Sequence, residues 1–588
     1  MSPAPRRGAD LLCAALAKLG VEHVFGVPGT QNVDLYDALR RSRIRSILTT
    51  HELGAAFMAN GYARASGKVG VVVAIPGPGF AYTLAGLAEA RLDSVPLLLI
   101  TGAPAHTPGR AFHFQAIDQG AIARPIVKGV VEVGPPDELV PALVRAYEMA
   151  EQGEPGPVVL QTSAQAMAGT ALDLPLLLAG RAEGDPTQLE QVASRFFAAR
   201  RPLILAGQGA GGAADDLRRV VERWTVPVVT TPAGRGVLPE DHPLALGFDH
   251  VRGNVAVMNQ LVEQADCVLA IGCKLSQNGA AGFALQLPPD RLIHVDTATH
   301  VLGANYPGQL AVCARAEHVF ERLALRGQQL TPHEPRWSTA ELAAWRQRLR
   351  APGGDRIPEP RFPDVPGGTA KAFFATLRQA MPHDGILVTD SGLHQSLARL
   401  YYEVRAPRGL IVPNDFQSMG FGVPAAIGAK LAAPRRPVVA VVGDGGLVMA
   451  GMELLTAARE GVSVVVVVFN DGQLNQIRLH QLADSGSTHD VGLRTPDLAA
   501  LAQALGVRYV RLDDDAESQL RTALTSREPT LVEVRVGDSA AIRSLRVRGF
   551  GRQTVRRALG PAVTGWIKGR LNRLRAVMAT RGGPAASS

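Results

Sequence analysis

At 588 residues the chain is longer than one hydrophobic core usually supports, so we expect several domains. With 46% hydrophobic and 19% charged residues, its composition is that of a globular protein and excludes fibrous and disordered classes. The formal net charge is +8, but 11 positive residues lie beyond Asp538, where no acidic residue follows; subtracting these 11 from +8 leaves −3 for the rest. A mildly acidic body predicts no nucleic-acid partner.

The cysteines and apolar runs bear on the cellular compartment. The four cysteines form no CxxC pair, which is typical of a reducing compartment. Near the N-terminus an amphipathic segment is interrupted by Lys18, unlike the continuous apolar stretch of a signal peptide. The longest dense apolar run, Val462–Phe469, is too short to span a bilayer. We therefore expect a cytoplasmic protein.

Short apolar runs, each followed by an alanine- and leucine-rich stretch with helical spacing, recur along the chain. Examples are VGVVVAIPGPG, VPLLLITG and PVVAVVGDGG. Runs that are apolar on both faces are typical of parallel strands covered by helices on both sides. Because this pattern restarts three times, we predict an α/β protein with three tandem doubly wound parallel-sheet domains. The predicted segments are domains at 1–170, 185–325 and 369–538, a Pro- and Gly-rich linker at 326–368, and a basic C-terminal helical tail at 539–588.

Three motifs stand out in the first domain. VFGVPGTQN contains Gly29, TTHELGAAFMANGYARASGKVG begins a helical pattern near Glu52, and AFHFQAIDQGAIARPIVK contains Gln115. By itself, Glu52 has the position of a first-turn helix acid favoured by the helix dipole. A single glutamine is usually a hydrogen-bonded polar group. These residues gain a functional interpretation only together with the third domain.

The most specific signal lies in the third domain, where the strand pattern PVVAVV runs into Gly443, Asp444, Gly445 and Gly446. A helix is predicted from about Leu447. Glycines let the backbone approach a diphosphate, a helix N-terminus offers free N–H groups to it, and an aspartate offers a hard oxygen to a divalent cation. A GDG sequence alone also occurs in purely structural turns.

A second oxygen ligand strengthens this interpretation. The next predicted strand, SVVVVVF, is followed by Asp471. Because the carboxyl ends of parallel strands meet at one edge of a sheet, Asp471 is expected beside Asp444. Phosphate oxygens, a backbone carbonyl and water would complete the octahedron of Mg²⁺. The two motifs together predict a magnesium and diphosphate site.

These motifs resemble those of the thiamine-diphosphate-dependent enzymes, and in particular the acetolactate synthases, whose motif opens with GDG and closes with NN where this chain has ND. The likeness covers roughly residues 8–537 and implies pyrimidine-binding, central and diphosphate-binding domains in that order. It implies thiamine diphosphate held through Mg²⁺, with Asp444, Asp471 and the carbonyl of Gln473 as metal ligands.

The resemblance also implies roles for single residues. A glutamate at the position of Glu52 hydrogen-bonds the aminopyrimidine ring and favours the tautomer that takes the proton from the thiazolium C2. Gly29 would lie near the reacting carbon, and Gln115 would face the substrate. Met419, in MGFGVPAA, would wedge under the cofactor, although core filling also suits its flexible thioether. The cofactor contacts implied are Glu52, Gly392, His394, Met419, Gly443, Asp444, Gly445, Gly446, Asp471 and Gln473.

Departures from the family pattern narrow the prediction. Flavin-containing members have GARFDDR where this chain has GCKLSQN at 272–278, and GQGAGG at 207–212 lacks a ribose-binding acid, so we predict that FAD is absent. His480 stands where biosynthetic acetolactate synthases have a tryptophan, so a preference for 2-oxobutyrate is not supported. Tyr82 replaces a frequent asparagine, which indicates an altered acceptor or substrate.

The tail carries apolar residues at helical spacing from Val563 to Met578, with lysine and arginine elsewhere around the helix. This pattern predicts a basic amphipathic helix. It could bind an anionic membrane surface, giving a peripheral location at the inner face of the membrane, or pack on the protein's own acidic body or on a dimer partner.

We therefore predict a homodimeric or homotetrameric enzyme that decarboxylates a pyruvate-like 2-oxo acid and ligates the remaining fragment to a second carbonyl. Three alternatives stay open: a non-ligating 2-oxo acid decarboxylase, a membrane-associated pyruvate oxidase, and a catalytically inert binding or regulatory homologue.

Overall fold

The structure is a computed structural model that describes residues 5–104, 107–173, 175–176, 178, 184–249, 251, 253–331, 337–351 and 358–545. These residues form three α/β units, each with a six-stranded parallel sheet, so the predicted three-domain α/β fold is confirmed. The predicted amphipathic helix at 563–578 lies outside the described residues, as does the tail from residue 546 onward.

The first unit begins with an antiparallel β1–β8 pair and contains a sheet in the order β3-β2-β4-β5-β7-β6. Its elements are β1 (Arg6–Arg7), α1 (Gly8–Lys18), β2 (His23–Gly26), α2 (Val33–Arg41), β3 (Arg45–Leu48), α3 (Glu52–Ser66), β4 (Gly70–Ala74), α4 (Pro78–Leu92), β5 (Leu97–Gly102), α5 (Gln119–Ala123), β6 (Gly129–Val133), α6 (Leu139–Glu151), β7 (Pro157–Thr162), α7 (Ala164–Ala168) and β8 (Thr170–Ala171).

The central unit has the sheet order β11-β10-β9-β12-β13-β14. Its elements are α8 (Pro186–Ala198), β9 (Pro202–Ala206), α9 (Ala214–Trp224), β10 (Val228–Thr230), β11 (Ala245–Phe248), α10 (Val255–Gln264), β12 (Cys267–Ile271), β13 (Leu292–Asp296), β14 (Leu310–Cys313), α11 (Ala316–Gln328) and α12 (Thr339–Arg350).

The third unit has the sheet order β16-β15-β17-β18-β20-β19, and a 3₁₀ turn at Gly451–Glu453 joins two of its helices. Its elements are α13 (Ala370–Ala380), β15 (Ile386–Thr389), α14 (Leu393–Tyr401), β16 (Leu410–Ile411), α15 (Gly422–Ala432), β17 (Val438–Gly443), α16 (Asp444–Ala450), α17 (Leu454–Glu460), β18 (Val465–Asn470), α18 (Asn475–Ser485), α19 (Leu498–Leu505), β19 (Arg508–Arg511), α20 (Ala516–Thr525) and β20 (Thr530–Arg535).

The central strands of each sheet are buried along nearly their whole length because helices cover both faces. In β17 and β18 every residue except the last is buried. Valine fills both strands, since a β-branched side chain packs well on a pleated surface. The strands therefore end in an abrupt change from apolar to polar residues, and that change places the polar side chains at one edge of the sheet.

The first and third units share one hydrophobic core, in which helix α3 crosses helix α15. Phe57 of α3 meets Phe421, just before α15, with ring centroids 5.4 Å apart. A Cβ atom at Gly61 would lie 2.0 Å from the carbonyl oxygen of Ala425, and one at Gly428 would lie 1.9 Å from that of Met58. The absence of side chains at these glycines therefore lets the two backbones touch.

Candidate active site

The strand β17 ends at Gly443, and helix α16 begins directly at Asp444, three residues before the helix start that the sequence predicts. Glycine's poor helix propensity conceals this early start in the sequence. The Asp444 carboxylate is buried, and its Oδ2 accepts hydrogen bonds from the N–H of Gly472 at 2.7 Å and the hydroxyl of Thr495 at 2.9 Å. The first turn of α16 thus presents a carboxylate at the edge of the sheet, and the Gly445 N–H donates to the Oδ1 of that carboxylate at 2.8 Å.

Asp471 follows β18, the strand next to β17, as the sequence predicts. Its Oδ2 accepts a hydrogen bond from the amide of Asn475 at 2.6 Å, and its Oδ1 accepts one from the N–H of Gln473 at 3.0 Å. Burial, followed by the negative charge of Asp444, raises the pKa of Asp471 to about 7. A divalent cation between the two carboxylates would remove this repulsion, so the pair has the chemistry of a metal site.

Six further residues that were predicted to contact a cofactor line the same cavity: Gly392, His394, Met419, Gly445, Gly446 and Gln473. Burial lowers the pKa of His394 to about 4, so its ring is neutral near pH 7. Among the described residues, its buried Nε2 has no hydrogen-bond partner. A buried polar atom without a partner costs free energy, which indicates that a ligand group completes the site. The Met419 methyl lies 3.4 Å from a Cβ built on Gly445 and so faces the GDGG turn.

Glu52, Gly29 and Gln115 lie in the first unit and do not line this cavity. Glu52 is the first residue of α3 and is 9% exposed. A Cβ atom built on Gly79 would lie 3.1 Å from the Oε1 of Glu52 and 2.7 Å from the Ile75 side chain. A Cβ atom built on Gly29 would lie 2.6 Å from the Ile75 side chain. Glu52 and Gly29 are therefore gathered around the turn between β4 and α4.

Gln115 joins this group through two contacts. Its Oε1 accepts a hydrogen bond from the Nε2 of Gln31, in the loop that contains Gly29. Its carbonyl oxygen lies 2.6 Å from the position of a Cβ on Gly77. The described residues of one chain thus contain two half-sites: one holds Asp444, Asp471 and the cavity around them, and the other holds Glu52 and its neighbours.

Two buried acids next to these half-sites, Asp390 and Glu453, are not predicted from the sequence. The Asp390 carboxylate accepts hydrogen bonds from the N–H groups of Ser391, Gly420 and Gly422 at 2.7 to 3.0 Å, and burial raises its pKa to about 6. The other is Glu453, which is 2% exposed in the run GMELL. The sequence does contain a signal for both acids. Asp390 directly follows the apolar run GILVT, and Glu453 lies within an apolar stretch. A carboxylate is rarely buried without a specific partner, so an acid in such surroundings indicates a specific role.

A second cavity lies where the three units meet, and the Gly-rich loop at 207–212 of the central unit lines part of it. In its Gly-rich loop the N–H of Gly209 donates to the carbonyl of Gly272, and the N–H of Ala210 donates to that of Gly207. The lining Lys274 is paired with Glu154 at 2.7 Å. The N–H groups of Gly209 and Ala210 and the Lys274 ammonium therefore already have partners within the protein.

The lining of that cavity carries charges of both signs. Asp93, Asp296 and Asp415 line it together with Arg64, Arg315 and Arg408. Burial raises the pKa of Asp296 and of Asp415. Elsewhere in the described residues, no helix combines the length and apolarity needed to cross a bilayer.

Comparison with known proteins gives three family matches. The N-terminal, central and C-terminal domain models of thiamine pyrophosphate enzymes match residues 6–122, 189–323 and 390–534. A probable acetolactate synthase large subunit of Methanocaldococcus jannaschii is 32% identical, covering 91% of this chain and 93% of that protein. The acetolactate synthase large subunit of Lactococcus lactis is 33% identical with the same coverage. A probable 2-ketoarginine decarboxylase of Pseudomonas aeruginosa is 35% identical, covering 89% and 93%.

Proposed function

We propose that this chain decarboxylates a pyruvate-like 2-oxo acid and joins the remaining fragment to a second carbonyl. The chain belongs to the thiamine pyrophosphate enzyme family and is an acetolactate synthase-like enzyme. The observation that carries this proposal is the pair Asp444 and Asp471 at neighbouring strand ends, beside the start of α16. Near them lies the Nε2 of His394, for which the described part of the chain offers no hydrogen-bond partner. This arrangement suits a magnesium diphosphate.

Each half-site contributes a separate task. Asp444, Asp471 and the carbonyl of Gln473 would hold Mg²⁺, and the turn Gly443–Gly446 together with Gly392 and His394 would contact the diphosphate. When bound, thiamine diphosphate supplies an electron sink that lets a 2-oxo acid lose carbon dioxide.

On the opposite side, Glu52 would hold a hydrogen bond to the aminopyrimidine ring from a buried position, where water does not compete for it. Gly29 leaves room for the reacting carbon, and Gln115 orients the substrate. Met419 would fix the conformation of the cofactor from below. The chain's residues mainly bind, orient and exclude water.

The separation of the half-sites supports a homodimer or a larger homo-oligomer. Exposed apolar side chains flank both of them: Phe114, which is 77% exposed, beside Gln115, and Met449, which is 62% exposed, beside the GDGG turn. Exposed apolar patches of this kind mark association surfaces. A second copy would bring the Glu52 of one chain to the metal site of the other.

Complementation tests this shared site. Glu52→Gln and Asp444→Asn would each inactivate a homodimer, whereas a mixed dimer made by co-expression contains one site with both native residues. Activity regained in the purified mixed dimer supports the shared site. Equal inactivity of all three species contradicts it.

A second candidate function is decarboxylation without ligation, favoured by the 35% identity to a probable 2-ketoarginine decarboxylase. The two reactions share the first half and differ in the product. Supplying pyruvate and 2-ketoarginine separately, with thiamine diphosphate and Mg²⁺, and identifying the products distinguishes them. An acetohydroxy acid supports ligation, whereas an aldehyde supports simple decarboxylation.

Cofactor binding and carbon dioxide release test the whole proposal. Calorimetry should show thiamine diphosphate binding that depends on Mg²⁺ and is lost in Asp444→Asn. Failure of the native protein to bind the cofactor, or to release carbon dioxide from any 2-oxo acid in a panel, contradicts an enzymatic role and favours an inert homologue. We also propose that no flavin is bound, and a yellow purified protein with flavin absorbance would contradict that.

A further inference from the structure

We infer that Glu453 is a positioning residue that fixes the direction of Glu52 from outside the cofactor site. This inference rests on the proposed function, in which Glu52 contacts the cofactor. Glu453 belongs to the third unit, in the 3₁₀ turn at Gly451–Glu453, whereas Glu52 begins helix α3 of the first unit.

The contacts of Glu453 surround the start of α3. Its Oε1 accepts hydrogen bonds from the N–H groups of Thr50 and His51, each at 3.2 Å, and its Oε2 also lies 3.2 Å from the nitrogen of Thr50. A Cβ atom built on Gly54 would lie 1.9 Å from the Oε1 of Glu453, so the carboxylate also packs directly against the first turn of helix α3. Glu453 therefore contacts the backbone on both sides of Glu52.

Glu453 is itself held in place. The Thr456 hydroxyl donates to its Oε2 at 2.8 Å, and the side chain is buried. Burial raises the pKa of Glu453, while the hydrogen bonds from Thr50, Thr456 and His51 oppose that rise. The carboxylate thus acts as an external cap for α3, and it is supplied by a different unit.

The position of Glu453 along the chain adds to its importance. Asp444 begins α16, and the 3₁₀ turn that ends with Glu453 follows α16 directly. One continuous segment therefore carries a proposed metal ligand at its start and the support of Glu52 at its end. In the proposed dimer these two ends would serve different sites.

Replacing Glu453 by Gln tests the inference. The amide keeps the shape and one accepting oxygen, but its NH2 group replaces Oε2 and faces the N–H of Thr50 and the hydroxyl of Thr456, so the start of α3 shifts. The readout is the rate at which the C2 proton of bound thiamine diphosphate exchanges with deuterium, measured by NMR after acid quenching, in holoenzyme with saturating Mg²⁺. A displacement of about 1 Å at a reacting group can cost about a hundredfold in rate. We expect a fall of at least tenfold, with cofactor affinity unchanged within threefold.

Two further variants complete the design. Glu460→Gln, at the end of α17 and paired with Arg45, is the matched control and should exchange at the native rate. Thr456→Val removes only the hydroxyl that orients Glu453; it should slow exchange by about two- to fivefold and decides the matter if Glu453→Gln fails to fold. Native exchange rates in both folded variants would overturn the positioning role. Failure of the native protein to bind the cofactor would instead overturn the proposed function.

Discussion

Replacing Gly61 by Ala should separate helices α3 and α15 and destabilise the protein. The new Cβ atom would lie 2.0 Å from the carbonyl oxygen of Ala425, far closer than a carbon–oxygen contact of about 3.3 Å. The obstacle is backbone, so no change of rotamer removes the overlap. The helices must therefore move apart by about 1 Å.

Two opposing effects set the magnitude. Alanine is favoured over glycine in a helix interior by about 1 kcal/mol, and overpacking a dense core costs about 1 to 3 kcal/mol. Because the overlap at Gly61 is with a buried backbone atom, the cost lies near the upper limit, and the net loss of stability is about 2 kcal/mol. The movement would also displace Glu52 at the start of α3, so we expect reduced activity at saturating cofactor.

The assay is the urea midpoint measured by fluorescence, together with the rate of carbon dioxide release from the preferred 2-oxo acid. Gly134→Ala is the control, because nothing lies within 4 Å of a Cβ at that position. We expect a lowered midpoint for Gly61→Ala and an unchanged one for the control. A midpoint for Gly61→Ala equal to or above the native value, as helix propensity alone predicts, would refute the close crossing.

Three further predictions concern charged residues. Burial and the charge of Asp93 raise the pKa of Glu89 to about 8 from its ordinary 4.5. The folded protein therefore loses stability as the pH rises between these two values. The Glu89→Gln variant should resemble the native protein near pH 5 and have the higher urea midpoint at pH 9. Asp444→Asn should weaken Mg²⁺-dependent cofactor binding by about a hundredfold in calorimetry, since a charge-assisted metal contact is lost, whereas Glu52→Gln should retain binding and lose carbon dioxide release. Asp249→Asn removes a carboxylate that lies 2.6 Å from the buried Arg399 guanidinium and should cost about 3 kcal/mol, visible as a lower thermal midpoint at unchanged cofactor affinity.

The sequence predicts the sheets, and the closeness of Asp444 to Asp471 at one sheet edge, because the signals for both are local. The strands β17 and β18 are continuous valine-rich runs, and a strand buried on both faces has no polar residue to interrupt it. The polar residues after them, Asp444 and Asp471, are brought together by strand adjacency alone. The GDGG and ND motifs are therefore sufficient to predict that the two aspartates lie side by side.

The contacts between units are not predictable in this way. The hydrogen bond from Thr50 to Glu453 joins residues 403 positions apart, and no periodic pattern encodes that pairing. Gly61 and Gly428 look like helix-weakening residues until the crossing of α3 and α15 explains them. The early start of α16 at Asp444 was missed for a different reason, because the low helix propensity of Gly445 and Gly446 hides it in the sequence.

Buried carboxylates cross between the first and third units in both directions. Glu453 holds the backbone before Glu52, while in return Asp93 accepts the N–H groups of Asn414 and Asp415, at 2.9 Å each, on the loop that leads to Met419. A buried N–H group without an acceptor costs about 1 to 3 kcal/mol of free energy. Each loop therefore needs the carboxylate of the other unit to stabilise its conformation. Docking of the two units and ordering of both half-sites are therefore one event. It follows that a substitution that undocks the two units should disturb Glu52 and Met419 together, whereas one that only alters the contacts of Glu453, as Glu453→Gln does, should disturb Glu52 alone.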